Sequence, residues 1–264
     1  MTAMPPRTHS LEFAGGTATI VLGRPEVRNA FNAEMIAELT ESFRRVAASD
    51  ARALVLTGGD VFCAGADIGW MREAAGRDRT GNLDDARRLA DMFRALCAVP
   101  CPTIAAVAGA ALGGGAGLVA AADLAVAEEG TKFGFTEVRL GIVPAVISAV
   151  VVPAIGVRNA RGLFATGTIF DAAAAARIGL VFEVVPKGTS FDRARALAAD
   201  AASAAPAASR RAKRLADRVA SFDGDALFDM LAEEIADVRS LPEARDGLAA
   251  FLEKRSPPWK VTDA

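Results

Sequence analysis

The spacing of apolar positions changes several times along the chain, and each change marks an element. The segment LEFAGGTATIVLGRP, Leu11 to Pro25, alternates around Gly15 and Gly16 and predicts a hairpin. In NAEMIAELTESFRRVAAS, residues Met35, Ile36, Leu39, Phe43 and Val46 recur on one helical face, with Asn32 placed as the N-cap. RALVLTGG reads as a short buried strand and DVFCAGADIGWM as a loop with small residues at its centre. The polar run GRDRTGN, Gly76 to Asn82, predicts a mobile connection. A helix follows in LDDARRLADMFRALCAV, with Leu83, Ala86, Leu89, Ala90, Phe93 and Leu96 on one face and Pro100 and Pro102 beyond its end.

PTIAAVAG is the next strand, a glycine-rich segment opens a further helix, and DLAVAEE returns as a strand. That alternation predicts an α/β fold with a largely parallel sheet and crossover helices. DAAAAARIGLVFEVVP repeats the theme as helix, glycine cap at Gly179 and strand. From Phe191 helical periodicity dominates to Arg255, with breaks at Pro206, Gly224 and Pro242. The expected organisation is an α/β core over residues 1–195 and a helical C-terminal region over 196–264.

Composition narrows the chemistry. Half of the 264 residues are apolar, enough for a sizeable core, and the net charge of −2 argues against nucleic-acid binding as the main role. The N-terminus lacks the apolar core of a signal peptide. The apolar stretch from Pro144 to Ile155 is too short to span a bilayer and contains Pro153. No membrane role and a cytoplasmic location are therefore expected. Cys63, Cys97 and Cys101 form no C-x-x-C pair, which fits buried reduced thiols better than zinc or redox chemistry. Tyrosine is absent, and the one histidine, His9, falls where a frayed N-terminus is expected. Serine- or cysteine-histidine catalysis thus has no base, and acid–base work falls to carboxylates, lysines or backbone groups.

The glycine segment, ALGGGAGLVAAAD from Ala111 to Asp123, follows a strand and opens a helix, as a dinucleotide fingerprint does. The spacing fails, because a G-x-G-x-x-G starting at Gly113 requires glycine where Leu118 stands. No Walker lysine pattern and no G-x-S-x-G occur. Two readings stay open. The glycines either expose N–H groups at a helix N-terminus for a developing oxyanion, opposite the small-residue loop FCAGADIGWM, or they permit tight helix–sheet packing with no ligand.

CAGADIGWM, VAGAALGGGAGLVAAAD and FGFTEVRLGIVP occur in the order and spacing of the crotonase, or enoyl-CoA hydratase/isomerase, superfamily, which the chain resembles over nearly its whole length. RPEVRNAFN resembles the family's early CoA-contacting segment, DAAAAARIGLVFEVVP its late helix–strand unit, and GLAAFLEKR its C-terminal helix. The resemblance implies a spiral of β-β-α units with a helical trimerisation region, an acyl-CoA thioester as substrate, no cofactor, no metal, and a homotrimer or dimer of trimers. It implies Ala66 and Gly114 as backbone donors to the thioester oxygen, each worth roughly 3–4 kcal/mol at an enolate. Of the two family glutamates, the second position holds Glu137 and the first holds Gly117.

Arg28, Ala30, Ala64, Asp67, Ile68 and Leu112 match segments lining CoA in relatives, and Phe251 and Lys254 match C-terminal positions reaching its adenine and phosphate end. Asp67 also suits a turn or cap, Asp123 structural bonding, and Lys254 a solvated helix. Arg210 to Arg214, RRAKR, either meets CoA phosphates or forms a solvated helix face. Trp70, Met71 and Ile147 are either acyl-pocket wall or core, and Cys63 is expected to be structural. The implied reaction is hydration of a 2-enoyl-CoA. A finer resemblance to methylglutaconyl-CoA hydratase-like members suggests a substrate with a distal carboxylate. A Δ3,Δ2-enoyl-CoA isomerase, which needs only Glu137, and a non-catalytic acyl-CoA-binding paralogue remain as alternatives.

Overall fold

A computed structural model describes residues 6–221, 224 and 226–260. Two sheets organise the core. The larger has six strands: β1 (His9–Ala14), β2 (Thr17–Leu22), β3 (Ala53–Thr57), β4 (Thr103–Val107), β6 (Leu124–Glu128) and β9 (Glu183–Val185), in the order β1-β2-β3-β4-β6-β9. Only the β1–β2 hairpin is antiparallel; the remaining neighbours run parallel. The smaller sheet joins β5 (Ala110–Leu112), β7 (Lys132–Gly134) and β8 (Ile169–Asp171). Every residue of β3 and β4 is buried, as both faces of a parallel sheet require.

Helix α1 (Ala33–Ala47) begins where the sequence places its cap, the Asn32 side chain accepting from the Met35 N–H at 2.8 Å. Its apolar face packs on α3 (Arg79–Cys97). Preceding α3 in the chain is α2 (Ile68–Ala75), eight residues with none buried. Helix α4 (Gly114–Ala121) crosses from β5 to β6, and α5 (Ala145–Thr166) lies against α4 and α3. Helix α6 (Ala172–Arg177) leads to β9, and α7 (Ser190–Ser203) covers the large sheet. There Ala194 and Ala198 meet Val55, Ile104 and Ala106, small side chains that let helix and sheet approach closely. Helices α8 (Pro206–Ser221), α9 (Ala226–Ser240) and α10 (Pro242–Leu252) complete the chain. The α/β class and the β-β-α units thus stand as expected, while α7 runs across the 195/196 division.

Several local expectations need correction. His9 is not frayed: it sits in β1 at 5% exposure, and its Nε2 lies 2.7 Å from Ser42 Oγ on α1. The run Gly76 to Asn82 is not all loop, because Asp78 caps α3 by accepting from Gly81 N–H at 2.8 Å and helix begins at Arg79. The small-residue loop turns helical at Ile68 because Asp67 caps α2. RRAKR is neither wholly solvated nor grouped at the cavity. Arg210 donates to the Ser49 and Ala51 carbonyls, and Lys213 donates to the Cys101 carbonyl at 3.1 Å and pairs with Asp123 at 2.6 Å. Asp123 also accepts from Thr103 N–H and Oγ1, at 2.7 and 2.9 Å, and is the structural residue expected. Helix α5 has the length and composition of a membrane span but is interrupted at Gly156, where φ is +75° and ψ 155°. Neither half alone approaches the ~20 residues a crossing needs.

Candidate active site

Loops following parallel strands collect at one edge of a sheet. Here the loop after β3 (residues 58–67) is tied on two sides by isolated parallel bridges, Cys63 to Ala111 of β5 beside the turn into α4, and Ala66 to Phe31 in the segment before α1. Asn29 is the pin. It is 1% exposed, its amide donates to the Gly58 carbonyl at 2.9 Å and the Val61 carbonyl at 2.7 Å, and its oxygen accepts from Arg24 N–H at 2.9 Å. Arg24 then donates to Asp67 Oδ2 at 2.8 Å, while Asp67 Oδ1 accepts from Gly69 N–H at 2.7 Å and caps α2. Burial resists the Asp67 charge, but the Arg24 guanidinium and the α2 N–H groups outweigh it and hold the carboxyl below its ordinary range. Asp67 is therefore occupied as a cap and clamp. Arg24 and Asn29 are not among the residues the sequence pointed to; their signal was the RPEVRN run itself, with Arg28 and Asn29 at positive φ.

This frame leaves two N–H groups free. Phe31 N–H donates to the Gly65 carbonyl at 2.7 Å and Asp67 N–H to the Phe31 carbonyl at 2.8 Å, so the intervening Ala66 N–H points away from that ladder. Gly113, at φ +50° and ψ −119°, makes the turn into α4, and Gly114 is the first helical residue. Neither the Ala66 nor the Gly114 N–H has an acceptor among the described residues. Both residues line one cavity of about 390 Å³. Glu137, which opens a 3₁₀ turn (Glu137–Leu140) closed by Gly141 at φ +75°, lines the same cavity. Its Oε1 lies 3.2 Å from where a Cβ on Gly113 would stand, and its Oε2 is buried without a hydrogen-bond partner. Desolvation raises the Glu137 carboxyl above its usual range.

The glycines serve close packing as well as exposure. A Cβ on Gly114 would stand 2.6 Å from the Phe31 ring, and one on Gly115 2.4 Å from the Cys63 carbonyl oxygen. Gly117 is buried on α4, and a Cβ there would meet Ile147 Cγ2 of α5 at 2.7 Å and Phe93 Cζ of α3 at 2.9 Å. The place at which the family resemblance puts a first glutamate is thus bordered by two apolar side chains.

Among the other sequence candidates, Ala64, Trp70, Met71 and Ile147 line the cavity, whereas Arg28, Ala30, Asp67, Ile68, Leu112, Phe251 and Lys254 do not. Arg28, Ala30 and Ala64 still fall together, since Ala64 N–H donates to the Arg28 carbonyl at 3.0 Å and the Ala30 carbonyl accepts from Arg24. Ile68 is exposed at the start of α2, and Leu112 is held in β5 by its N–H to the Cys63 carbonyl. Phe251 and Lys254, at the end of α10, are solvent-exposed. Cys63 is fully buried and its thiol is pushed up to about 12 by burial, so it stays protonated at neutral pH. Asp85 of α3 lines the cavity too and was not singled out in the sequence, where it looked like one of several helix-surface carboxylates.

The fold and the cavity can be set beside known proteins, and the comparisons give the class. The Enoyl-CoA hydratase/isomerase family model matches residues 12–262. The chain belongs to that family, the crotonase superfamily. A relative from Thermus thermophilus, whose name places it among enoyl-CoA hydratases, is 36% identical over 245 residues, covering 92% of this chain and 97% of its own. A solved structure from Legionella pneumophila, assigned to the enoyl-CoA hydratase/isomerase (crotonase) group, superposes with a TM-score of 0.93 at 37% identity, covering 96% of this chain and 99% of its own. An enoyl-CoA hydratase structure from Shewanella pealeana gives 0.92 at 35% identity over 96% of each chain. The protein is an enzyme of this family acting on acyl-CoA thioesters.

Proposed function

We propose that the protein is an enoyl-CoA hydratase that adds water to a 2-enoyl-CoA with an apolar acyl group. The observation that carries this reading is the shared cavity: one desolvated carboxylate, Glu137, stands beside two unengaged backbone donors, Ala66 and Gly114. With the thioester oxygen between those donors, electron density pushed onto it as an enolate is stabilised without reorganisation. Glu137 accepts a proton from water as the water oxygen bonds to C3. The enolate then collapses, and the same carboxyl gives a proton to C2. One carboxyl moves both protons, and its raised pKa suits a group that must be base and then acid.

The Gly117 packing favours a second reading. With the first-glutamate place bordered by Ile147 and Phe93, a Δ3,Δ2 isomerase, shuttling one proton between C4 and C2 through Glu137, makes the same use of the site. A distal carboxylate on the substrate, as in a glutaconyl-type acyl group, finds no Lys, Arg or His among the described residues lining the cavity. The lining is mostly apolar, hence the apolar acyl group. A homo-oligomer is supported by apolar side chains left open on the C-terminal helices, including Phe228 at 75%, Phe251 at 79% and Leu252 at 78% exposure.

The test is a substrate panel. Loss of enoyl absorbance with crotonyl-CoA establishes hydration, a gain of absorbance with a 3-enoyl-CoA establishes isomerisation, and Glu137→Gln lowers either by about 10²–10⁴-fold. Wild type and Glu137→Gln both inert, yet both binding acyl-CoA, would sink the enzymatic reading and leave a binding paralogue. Light scattering gives the oligomeric state, and a monomer at micromolar concentration refutes the assembly.

A further inference from the structure

The cavity wall made by α2 has no fully buried residue and leans on polar bonds beside the partial burial of Trp70. No residue of α2 is buried, yet Trp70, Met71 and Ala74 face the cavity. Trp70 packs partly buried against the core, and apart from the Asp67 cap and the exposed Arg77–Glu73 pair one side-chain hydrogen bond fastens the helix: Trp70 Nε1 donates to Asp85 Oδ2 on α3 at 3.2 Å. Asp85 is 7% exposed and is the carboxylate on which this corner converges. Arg77, from the α2–α3 connection, binds the same oxygen, and Arg88 Nη1 donates to Oδ1 at 3.1 Å. A carboxylate taken this far out of water is costly, and it persists only because both oxygens are engaged. Asn82, Ala86 and Leu89 continue the wall on α3.

We propose that Asp85, acting through Trp70, sets how large an acyl group the cavity admits. The proposal rests on the acyl-CoA reading above. Asp85 is a positioning residue: it holds the indole of Trp70 against the cavity and so fixes the α2 wall. Releasing that bond frees a helix with no buried residue to swing outward, which enlarges the acyl space without touching Glu137, Ala66 or Gly114.

The test compares short and long acyl chains. Asp85→Asn replaces a charged acceptor with an amide that cannot serve both arginines, and Trp70→Phe keeps an aromatic wall but removes the N–H. Each is expected to raise the ratio of kcat/KM for 2-decenoyl-CoA over crotonyl-CoA by about tenfold, the size of a modest pocket change, and the double variant no more than either alone. The chain has two tryptophans, so Trp259→Phe leaves Trp70 as the only one. In that background, Trp70 fluorescence reads binding of decanoyl- and butyryl-CoA whether or not turnover occurs, and Asp85→Asn shifts the affinity ratio in the same sense. If both enoyl-CoAs go unhydrated but the affinity ratio shifts, the proposed reaction fails and this proposal stands. Unchanged ratios in folded variants, or equal losses for every chain length, overturn it. If Asp85→Asn does not fold, the Trp70→Phe turnover ratio decides alone.

Discussion

Gly117 is where packing makes a definite prediction. Substituting Gly117→Ala in the interior of α4 gains about 1 kcal/mol of helix propensity. Against that, the new Cβ stands 2.7 Å from Ile147 Cγ2, 2.9 Å from Phe93 Cζ and 3.1 Å from Ile147 Cβ. Both neighbours are 3% exposed and cannot swing into solvent. Overpacking of this kind costs about 1–3 kcal/mol, so the net expectation is a loss of about 1 kcal/mol. In a chain of this size that lowers the thermal midpoint by about 2–4 °C. Ile147→Ala removes Cγ2 and opens space for the added methyl group, so the double variant should lose about 1 kcal/mol less than the sum of the singles. Calorimetry and urea titration on the four proteins measure this cycle. A midpoint for Gly117→Ala equal to or above wild type, or strict additivity with Ile147→Ala, would refute the claim that Gly117 exists to let α4, α5 and α3 close. The same geometry predicts that Gly117→Glu alone does not supply a second catalytic carboxylate, because its first carbon already collides.

Three further outcomes follow from charge and burial. In the proposed reaction Glu137 starts unprotonated, and desolvation raises its pKa, so the acid limb of kcat/KM is expected to fall away at a pH above the ordinary glutamate value of about 4.3; a limb at or below that value argues against Glu137 as the base. Burial pushes His9 down to about 4, so between its unfolded value of about 6.5 and about 4 the unfolded chain binds the extra proton. Stability therefore declines as pH falls through that window, by on the order of 2 kcal/mol in all after allowing for screening, and is flat in this term above it; urea titrations from pH 7 to 4 should show the slope in wild type and a shallower one in His9→Gln. Asn29→Ala removes two donors to loop carbonyls and leaves alanine at φ +55°, for a loss of roughly 3 kcal/mol. Asn29→Gly relieves the backbone but not the hydrogen bonds, so it should recover only part of that loss, and full recovery would assign the role to φ alone.

Strong periodicity was legible in the sequence. The α1 face, its Asn32 cap and the apolar runs of β3 and β4 all fall where the pattern puts them, because local propensity and tertiary burial agree there. The three-residue strands β5, β7 and β8 carry no period to detect and exist only because they pair with one another. His9 looked terminal, but hydrogen bonds from Arg7 and Thr8 to Glu38 tie its neighbours to α1. The glycine segment invited a choice between ligand and packing. The structure shows close packing at three of them and an unengaged donor at one of those three: Gly113 makes the turn, Gly114 leaves its N–H free while pressed against Phe31, and Gly115 and Gly117 are pressed against their neighbours. The roles of Arg24 and Asn29 were not legible because their bonds to Asp67, Gly58 and Val61 close only in the folded chain, and Asp85, whose partners lie within fifteen residues, was hidden because nothing in its helix pattern marks it as buried.

The attachment of the C-terminal helices has a consequence for how the molecule opens. α8 and α9 bury no residue and α10 buries only Ala250, while the side-chain hydrogen bonds to the core are made by cationic groups: Arg210 to the Ser49 and Ala51 carbonyls, Lys213 to the Cys101 carbonyl and the Asp123 carboxylate, and, just beyond α10, Arg52 to the Trp259 carbonyl. Such a region opens as a unit at lower free energy than the sheet beneath it. Its amides should exchange with deuterium well before those of β3 and β4. If neighbouring copies cover the open apolar side chains, that early exchange will slow as protein concentration rises while exchange from the sheet does not. The two rates, taken from one sample, then separate the cohesion of the chain from the cohesion of its assembly.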